Sequence, residues 1–312
     1  MFAIIGIVVV FGAIVGGYLM EHGNLMVLLQ PAELLIIGGA AVGTILIANP
    51  LPIIIRIGKG AIGVFKPGIF SKDYYLEHLK MLNELFQYGR KHGAAKLETD
   101  VEEPQKSPVF SKYPRFLGNH HALNFVCDTL RMYITGGVGS FELDQMMELD
   151  MEVHHLDAQA PVAALTTVAD SLPGLGIVAA VLGVVITMGA LGGPPEEIGH
   201  KVAAALVGTF LGILLCYGLF GPIAANMGKA NEAEAHFYHC LRVAVAAFVR
   251  GSAPILSVEF ARRTIPAEVR PTFQEMEQFC KKKSAPGPEA APAPGSPAAP
   301  DAAPAPAEKG AA

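Results

Sequence analysis

The chain has 312 residues, of which 52% are apolar and only 16% are charged, and its formal net charge is −5. Soluble domains carry about 25% charged residues, so this composition excludes an ordinary soluble globule. The charge balance gives no basic patch for nucleic acid, and the four cysteines lack the spacing of zinc or disulfide frameworks. Charge is missing from long continuous stretches, which is typical of a membrane protein.

Four apolar stretches are long enough to cross the hydrocarbon core, which takes about 20 helical residues. They predict spans at about 2–20, 34–55, 172–191 and 202–227. The first stretch is not a typical cleaved signal peptide, because no basic residue precedes it and no clear small-residue cleavage site follows it. The sequence therefore predicts an all-α integral membrane protein with four transmembrane helices.

Basic residues indicate the orientation of these spans. No Lys or Arg precedes Arg56, and several follow both the second span and the fourth. The positive-inside rule then places both termini in the cytoplasm and the two short connections outside. The predicted organisation is a hairpin over 1–55, a cytoplasmic helical domain over 56–170, a second hairpin over 171–227, a helical extension over 228–283 and a disordered Ala/Pro-rich tail over 284–312.

Helical periodicity continues between the second and third spans. Apolar residues recur at helical spacing over 72–93, and Gly93 suits the end of that helix. Further helices are predicted at about 114–134 and 141–156. Glycines four residues apart also recur within the spans, which indicates close packing of helices either within one chain or between chains: Gly12 and Gly16, Gly39 and Gly43, Gly208 and Gly212.

Two pairs of adjacent histidines, His120-His121 and His154-His155, raise the question of a metal site. Adjacent residues point to different sides of a helix, and no His-x3-His pair with a carboxylate completes a ligand set. The sequence also lacks a nucleophile elbow, a P-loop and a dinucleotide fingerprint. We therefore predict no metal, no cofactor and no enzyme activity.

The third span carries the most informative pattern. Asp170 stands at its inner end and is followed by Pro173, which either begins a helix at its first position or forms a hinge or hydrated entrance within one. Pro222 lies near the inner end of the fourth span, and Thr187 and Thr209 are among the few polar residues inside the two spans. Neither interior contains Asp, Glu, Lys or Arg, so an ion path through them needs a carboxylate from another protein.

Two long segments resemble the third and fourth spans of the MotA family, the A subunits of bacterial flagellar stators. They are DSLPGLGIVAAVLGVV at 170–185 and VGTFLGILLCYG at 207–218. Shorter segments at 16–20, 30–34, 113–115, 253–255 and 258–260 are similar to the family as well. The resemblance extends over about residues 1–283.

This resemblance implies a pentameric ring of A subunits around a dimer of a B subunit that is anchored to peptidoglycan. The single span of B would supply the missing aspartate, and its protonation and deprotonation would move the ring and turn the rotor. Pro173 and Pro222 match two prolines that the family uses in this coupling. The implied partners are the B subunit, the rotor's switch-ring protein, membrane lipid and further copies of the chain, all at the bacterial inner membrane.

The resemblance also assigns individual residues. Arg90 and Glu98 match charged residues that engage the switch-ring protein, and Asp150 falls where the family often has another acid. Sodium-driven relatives tend to have threonine where this chain has Ala180, which favours protons, whereas Thr209 occurs in both classes. The residues predicted to form the ion pathway and its coupling are Asp170, Pro173, Ala180, Thr209 and Pro222.

The main alternative is a proton-driven energiser of outer-membrane processes of the TolQ and ExbB type. Those relatives have three spans and lack the leading hairpin, so residues 1–55 speak against this function. A scaffold or an autonomous transporter is a second alternative. A transporter would usually carry its own ionisable site or an inverted repeat, and the sequence shows neither.

Overall fold

The computed structural model describes residues 2–189 and 192–281, and the predicted tail over 284–312 lies outside them. Within the described residues the chain folds into helices without strands. Four helical stretches are long and apolar enough to cross a membrane, at Phe2–Met20, Leu25–Ala48, Ser140–Met188 and Pro195–Val249. A large helical region separates the second from the third. The predicted all-α class with four spans is confirmed.

The helices are numbered in chain order. They are α1 (Phe2–Met20), α2 (Leu25–Leu28), α3 (Pro31–Ala48), α4 (Leu51–Gly63), α5 (Lys72–His92), α6 (Ala94–Glu102), α7 (Pro114–Leu117), α8 (His120–Thr135), α9 (Ser140–Met188), α10 (Pro195–Leu215), α11 (Gly221–Val249), α12 (Pro254–Thr264) and α13 (Phe273–Lys281). A 3-10 turn spans Phe110–Lys112, and a π-helical stretch at Cys216–Phe220 joins α10 to α11.

The second membrane helix differs from its prediction at both ends. It begins at Pro31, because a proline in the first helical position has its φ preset and lacks only an N–H that would be unpaired there. It ends at Ala48, because Pro50 holds the preceding Asn49 in an extended conformation. The residues that follow form a separate amphipathic helix, α4, with Ile57 buried.

The third membrane helix is much longer than predicted. The expected helix at 141–156 and the expected span from 172 are both parts of α9, which runs unbroken for 49 residues with Pro161 and Pro173 inside it. At 1.5 Å per residue this helix is about 74 Å long. Pro173 therefore does not begin a helix, and that interpretation of it is wrong.

The fourth membrane helix changes its hydrogen-bond register just before Pro222. The N–H of Gly221 donates to the carbonyl of Cys216, five residues earlier, which is the π-helical pattern. Pro222 has no N–H and its ring crowds the carbonyl of Gly218, which disfavours an ordinary α-helical turn at this point. The wider π turn carries the chain from α10 into α11 without a break.

We use the name helical domain for α5–α8, α12, α13 and the adjoining parts of α9 and α11, which share one apolar core. Ser71 caps the start of helix α5 with its hydroxyl, which accepts from the N–H of Tyr74, and Gly93 with φ +82° caps its end. Both ends agree with the sequence. The ring of Phe86 on this helix stacks on Phe248 of α11, with centroids 4.3 Å apart. This contact fixes α5 against the helix that continues the fourth span.

Candidate functional site

Helices α9 and α10 approach each other closely along a seam of small residues. A Cβ built on Gly176 would lie 2.7 Å from the carbonyl oxygen of Gly208, and one built on Gly212 would lie 2.9 Å from the Cα of Gly176. These positions admit only glycine because the two backbones are in contact. Gly208 and Gly212 therefore pack within one chain. A Cβ on any glycine of the other two pairs would meet nothing within 4 Å, namely Gly12, Gly16, Gly39 and Gly43.

The seam brings together two of the predicted pathway residues. Ala180 of α9 lies next to Gly208, because a Cβ built on Gly208 would be 3.2 Å from the Ala180 nitrogen. Thr209 of α10 borders Gly176, where a Cβ would lie 3.3 Å from the Thr209 Cα. Both residues are half-buried. Ala180 and Thr209 thus lie on opposite sides of one helix contact.

The other predicted pathway residues lie nearer the ends of the two spans that adjoin the helical domain. Asp170 is exposed on α9, and Pro173 lies half-buried about one turn further along the same helix. Pro222 is exposed and lies two residues after the end of the π-helical stretch. Each of the two spans therefore carries its proline inside a continuous helix.

The outward side of α9 is strongly apolar and is not covered by this chain. Its large side chains are between 50% and 66% exposed at six positions, Ile177, Val178, Val181, Val184, Val185 and Ile186. From Ser171 to Met188 this helix contains no ionisable side chain. The surface is suited to lipid or to another apolar helix.

One acidic residue reaches the seam, although it precedes the predicted second span at 34–55. Glu33 of α3 is only 7% exposed, and its Oε2 has no hydrogen-bond partner. This oxygen occupies the space left by the missing side chain of Gly208, 2.6 Å from the position of a Cβ there. The carboxyl group is thus enclosed where α3, α9 and α10 meet.

The sequence did contain a signal for Glu33. The buried residues of α3 are Glu33, Ile37 and Ala41, at intervals of four, so they share one helix face. Starting the span at Leu34 left Glu33 outside this pattern. The proline at position 31, which favours the first turn of a helix, was the sign that the span begins earlier.

The predicted rotor residues lie in two places on the helical domain. Arg90 is exposed in the last turn of α5, where its Nη2 donates to the carbonyl of Gly251 over 2.5 Å. Glu98 is exposed on α6, which begins directly after Gly93. Asp150 is exposed on α9 and lines a groove between α8 and α9. Arg90 and Glu98 thus lie on consecutive helices, and Asp150 belongs to a different surface.

The two pairs of adjacent histidines do not form one cluster. One histidine of the first pair contacts one histidine of the second. The rings of His121 and His154 are 4.0 Å apart between centroids, and the Nε2 of His154 lies 3.5 Å from Glu234. Within residues 2–189 and 192–281, no group of three or more His, Cys, Asp or Glu side chains is arranged to hold a metal ion. These contacts join α8, α9 and α11.

Two family models match most of the chain. Residues 4–93 match the model described as motility protein A N-terminal, and residues 119–238 match the model described as the MotA/TolQ/ExbB proton channel family. The first match includes the leading hairpin, which distinguishes this chain from the TolQ and ExbB type.

Individual relatives agree with these models. The chain is 38% identical over 281 residues to motility protein A of Escherichia coli, covering 90% of this chain and 95% of that protein. It is 34% identical to chemotaxis protein LafT of Vibrio parahaemolyticus, covering 88% of this chain and 96% of that protein.

Two solved structures share the fold. The flagellar MotAB stator complex from Bacillus subtilis matches with a TM-score of 0.68 and 25% identity, over 85% of this chain and 96% of that one. The structure of C. jejuni MotAB matches with a TM-score of 0.70 and the same coverage, at 18% identity. The chain therefore belongs to the motility protein A family, the flagellar stator subunits of the MotA/TolQ/ExbB proton channel family.

Proposed function

We propose that this chain forms a ring of subunits, a pentamer by analogy with the family, around a membrane-spanning B subunit and couples inward proton flow to rotation of the flagellar rotor. The proton would bind to an aspartate of B and leave at the cytoplasmic end near Asp170. Its release would change the packing of B against the ring and move the ring by one step. No bond of a substrate is made or broken, so the function is not enzymatic.

The uncovered face of α9 is the observation that carries this proposal. It is apolar, it faces away from the rest of the chain, and its helix has no charge from Ser171 to Met188. Helix α9 itself supplies no ionisable relay for a conduction path along this face, and proton paths normally require one. A partner helix that packs on this face and supplies one acid would complete the path.

The proposed orientation places both termini in the cytoplasm of a bacterium, with the chain in its inner membrane. Basic side chains in α4 and along α11 support it, because the cytoplasmic side of a membrane protein is enriched in Lys and Arg. The helical domain then projects toward the rotor. Its surface residues Arg90, Glu98 and Asp150 are the proposed contacts with the switch-ring protein.

We further propose that the driving ion is the proton. Sodium must exchange its hydration shell for oxygen ligands, and Ala180 contributes no hydroxyl at the seam opposite Thr209. Pro173 and Pro222 would act in coupling, since each interrupts the backbone hydrogen bonds of a span at its inner end.

The test uses the purified chain, with and without its B subunit, in liposomes under a pH gradient. The complex should conduct protons and the chain alone should not. In cells, deleting the gene should leave intact but paralysed flagella. Proton conduction by the chain alone, or normal swimming of a deletion strain without a second stator set, would refute the proposal.

A further inference from the structure

Glu33 lies deep in the membrane part of the molecule, although it stands near the start of its own helix. Its neighbour Gly208 is about 9 Å along α10 from Val202, where the predicted span begins, and Ala179 is about 14 Å from the end of α9 at Met188. The hydrocarbon core is about 30 Å thick, so the carboxyl group lies about a third to a half of the way into it. This depth is shared with Ala180 and Thr209.

The surroundings of this carboxyl group are apolar. Oε2 of Glu33 makes no hydrogen bond, and the cavity that receives it is bounded by the backbone of Gly208 and by Ala179 and Ala180. An ionised carboxylate without partners is strongly disfavoured in such a place, because nothing replaces the water it has lost. The group is therefore suited to carrying a proton.

Among residues 2–189 and 192–281, no cation on the helices around this group faces it. Helix α9 from Ser171 to Met188 and helix α10 from Val202 to Leu215 contain no charged side chain. The nearest charges along α10 are in its first turns, where Lys201 is already paired with Glu197 over 2.8 Å. Ion pairing within the chain therefore does not explain why an acid is buried here.

From this geometry we infer that Glu33 is a second proton-binding group of the channel, which hands protons across the α9–α10 seam toward the acid of the B subunit. The inference rests on the proposed function. Gly208 leaves the space that the carboxyl oxygen of Glu33 occupies, since any side chain at position 208 would displace this oxygen. Acids buried at membrane depth commonly belong to proton relays, and the position of this one beside Ala180 and Thr209 places it next to the proposed path.

The experiment compares complete stator complexes carrying Glu33→Gln, Glu33→Asp or the control Glu21→Gln. Gln keeps the size of the side chain and can donate and accept hydrogen bonds, but it does not titrate. Asp does titrate. Glu21 is an exposed acid of the outer connection. Membrane level and association with the B subunit are measured for each variant, followed by proton flux into vesicles and swimming.

We expect Glu33→Gln to assemble normally and to lose proton flux by about a hundredfold, the scale that a positioned proton-transfer group contributes. Glu33→Asp should retain part of the flux, and Glu21→Gln should match the unmodified complex. Normal flux and swimming of Glu33→Gln would overturn the inference and leave the proposed function intact. Absence of flux through the unmodified complex would instead count against the proposed function.

If Glu33→Gln does not reach the membrane, infrared spectroscopy of the unmodified complex tests whether Glu33 carries a proton. A protonated glutamic acid in an apolar site gives a carbonyl band separate from that of ionised carboxylates. Glu33→Asp should move this band. A spectrum that is identical in the two complexes would overturn the inference.

Discussion

Nε of Arg242 on α11 donates to Oδ1 of Asp144 on α9 over 2.8 Å. The two side chains are 16% and 23% exposed, and Asp144 also pairs with Arg250 over 3.2 Å. These contacts join the extensions of the third and fourth spans inside the helical domain. They add to the other polar contacts between these two helices, which include the bond from the Asn231 side chain to the carbonyl of Ala158.

Asp144→Asn should therefore destabilise the helical domain. Hydrogen bonds to charged groups contribute about 1.5–3 kcal/mol, and this change weakens two of them while keeping the size of the side chain. The measurement is chemical unfolding of the purified full chain in detergent. Glu103→Gln is the control, because the Glu103–Lys106 pair is 57% and 78% exposed and such pairs contribute about 0–1 kcal/mol. Equal effects of the two changes would contradict the prediction.

His78 should make the stability of the helical domain depend on pH. Its side chain is 2% exposed, and this burial lowers its pKa from 6.5 to about 4. Its Nδ1 lies 2.6 Å from the carbonyl of Tyr74, so the neutral ring with a proton on Nδ1 donates there. The folded state thus favours neutral histidine, whereas the unfolded state takes up a proton below about pH 6.5.

This difference in protonation sets the direction in which the free energy of unfolding changes with pH. Stability is full above pH 6.5 and falls as pH decreases toward 4, by on the order of 3 kcal/mol over the whole interval. Unfolding of the purified chain at several pH values between 7 and 4 tests this. His78→Leu should be less stable at pH 7, and its stability should vary less with pH. A pH dependence as steep as that of the unmodified chain would show that other groups are responsible.

Pro222→Ala should remove the π-helical stretch before α11. Alanine restores a backbone N–H that can bond to Gly218, and continuing the α-helix rotates the following residues by about 100°, one residue of helical register. We expect normal membrane levels and a large loss of motility. Pro195→Ala is the matched control, because Pro195 occupies the first position of α10, where its N–H would be unpaired. Swimming of the Pro222 variant at the speed of the control would exclude a coupling role for the π turn.

Arg90→Glu should weaken docking to the rotor. Reversal of an exposed charge at a contact changes affinity by on the order of 1 kcal/mol, or about fivefold. Because Arg90 also donates to Gly251, Arg90→Gln is needed to separate lost charge from lost local bonding. Swimming speed and stator recruitment are measured for both. Rescue of Arg90→Glu by a reversed charge on the switch-ring protein is expected, and unchanged motility of Arg90→Glu would remove Arg90 from the contact.

The sequence predicted the number and type of the membrane helices because hydropathy and helix length report directly on transfer into a bilayer. It also predicted α5 with its cap at Gly93, where periodicity and a glycine agree. It failed to predict the continuity of α9, since Pro161, Pro173 and the nearby glycines all resemble helix ends. Neighbouring helices hold these residues in helical conformation, and such packing is not visible in a single sequence.

The same limitation applies to the candidate site. Asp170, Pro173 and Pro222 were identifiable because their residue types are unusual at the ends of a span. Glu33 was missed because its depth depends on where α3 begins relative to the α9–α10 hairpin. Two helices of one bundle need not start at the same level of the membrane, and only their packing reveals the offset.

Because α9 is continuous from the membrane into the helical domain, a tilt of its membrane part would also move its other end. From Pro173 to Ser140 the axis is about 50 Å long, so a tilt of about 5° at Pro173 displaces the far end by about 4 Å. Asp150, about 35 Å from Pro173, would travel about 3 Å under the same tilt. A small tilt of α9 within the membrane would therefore move the far end of the helix by about the length of one interatomic contact.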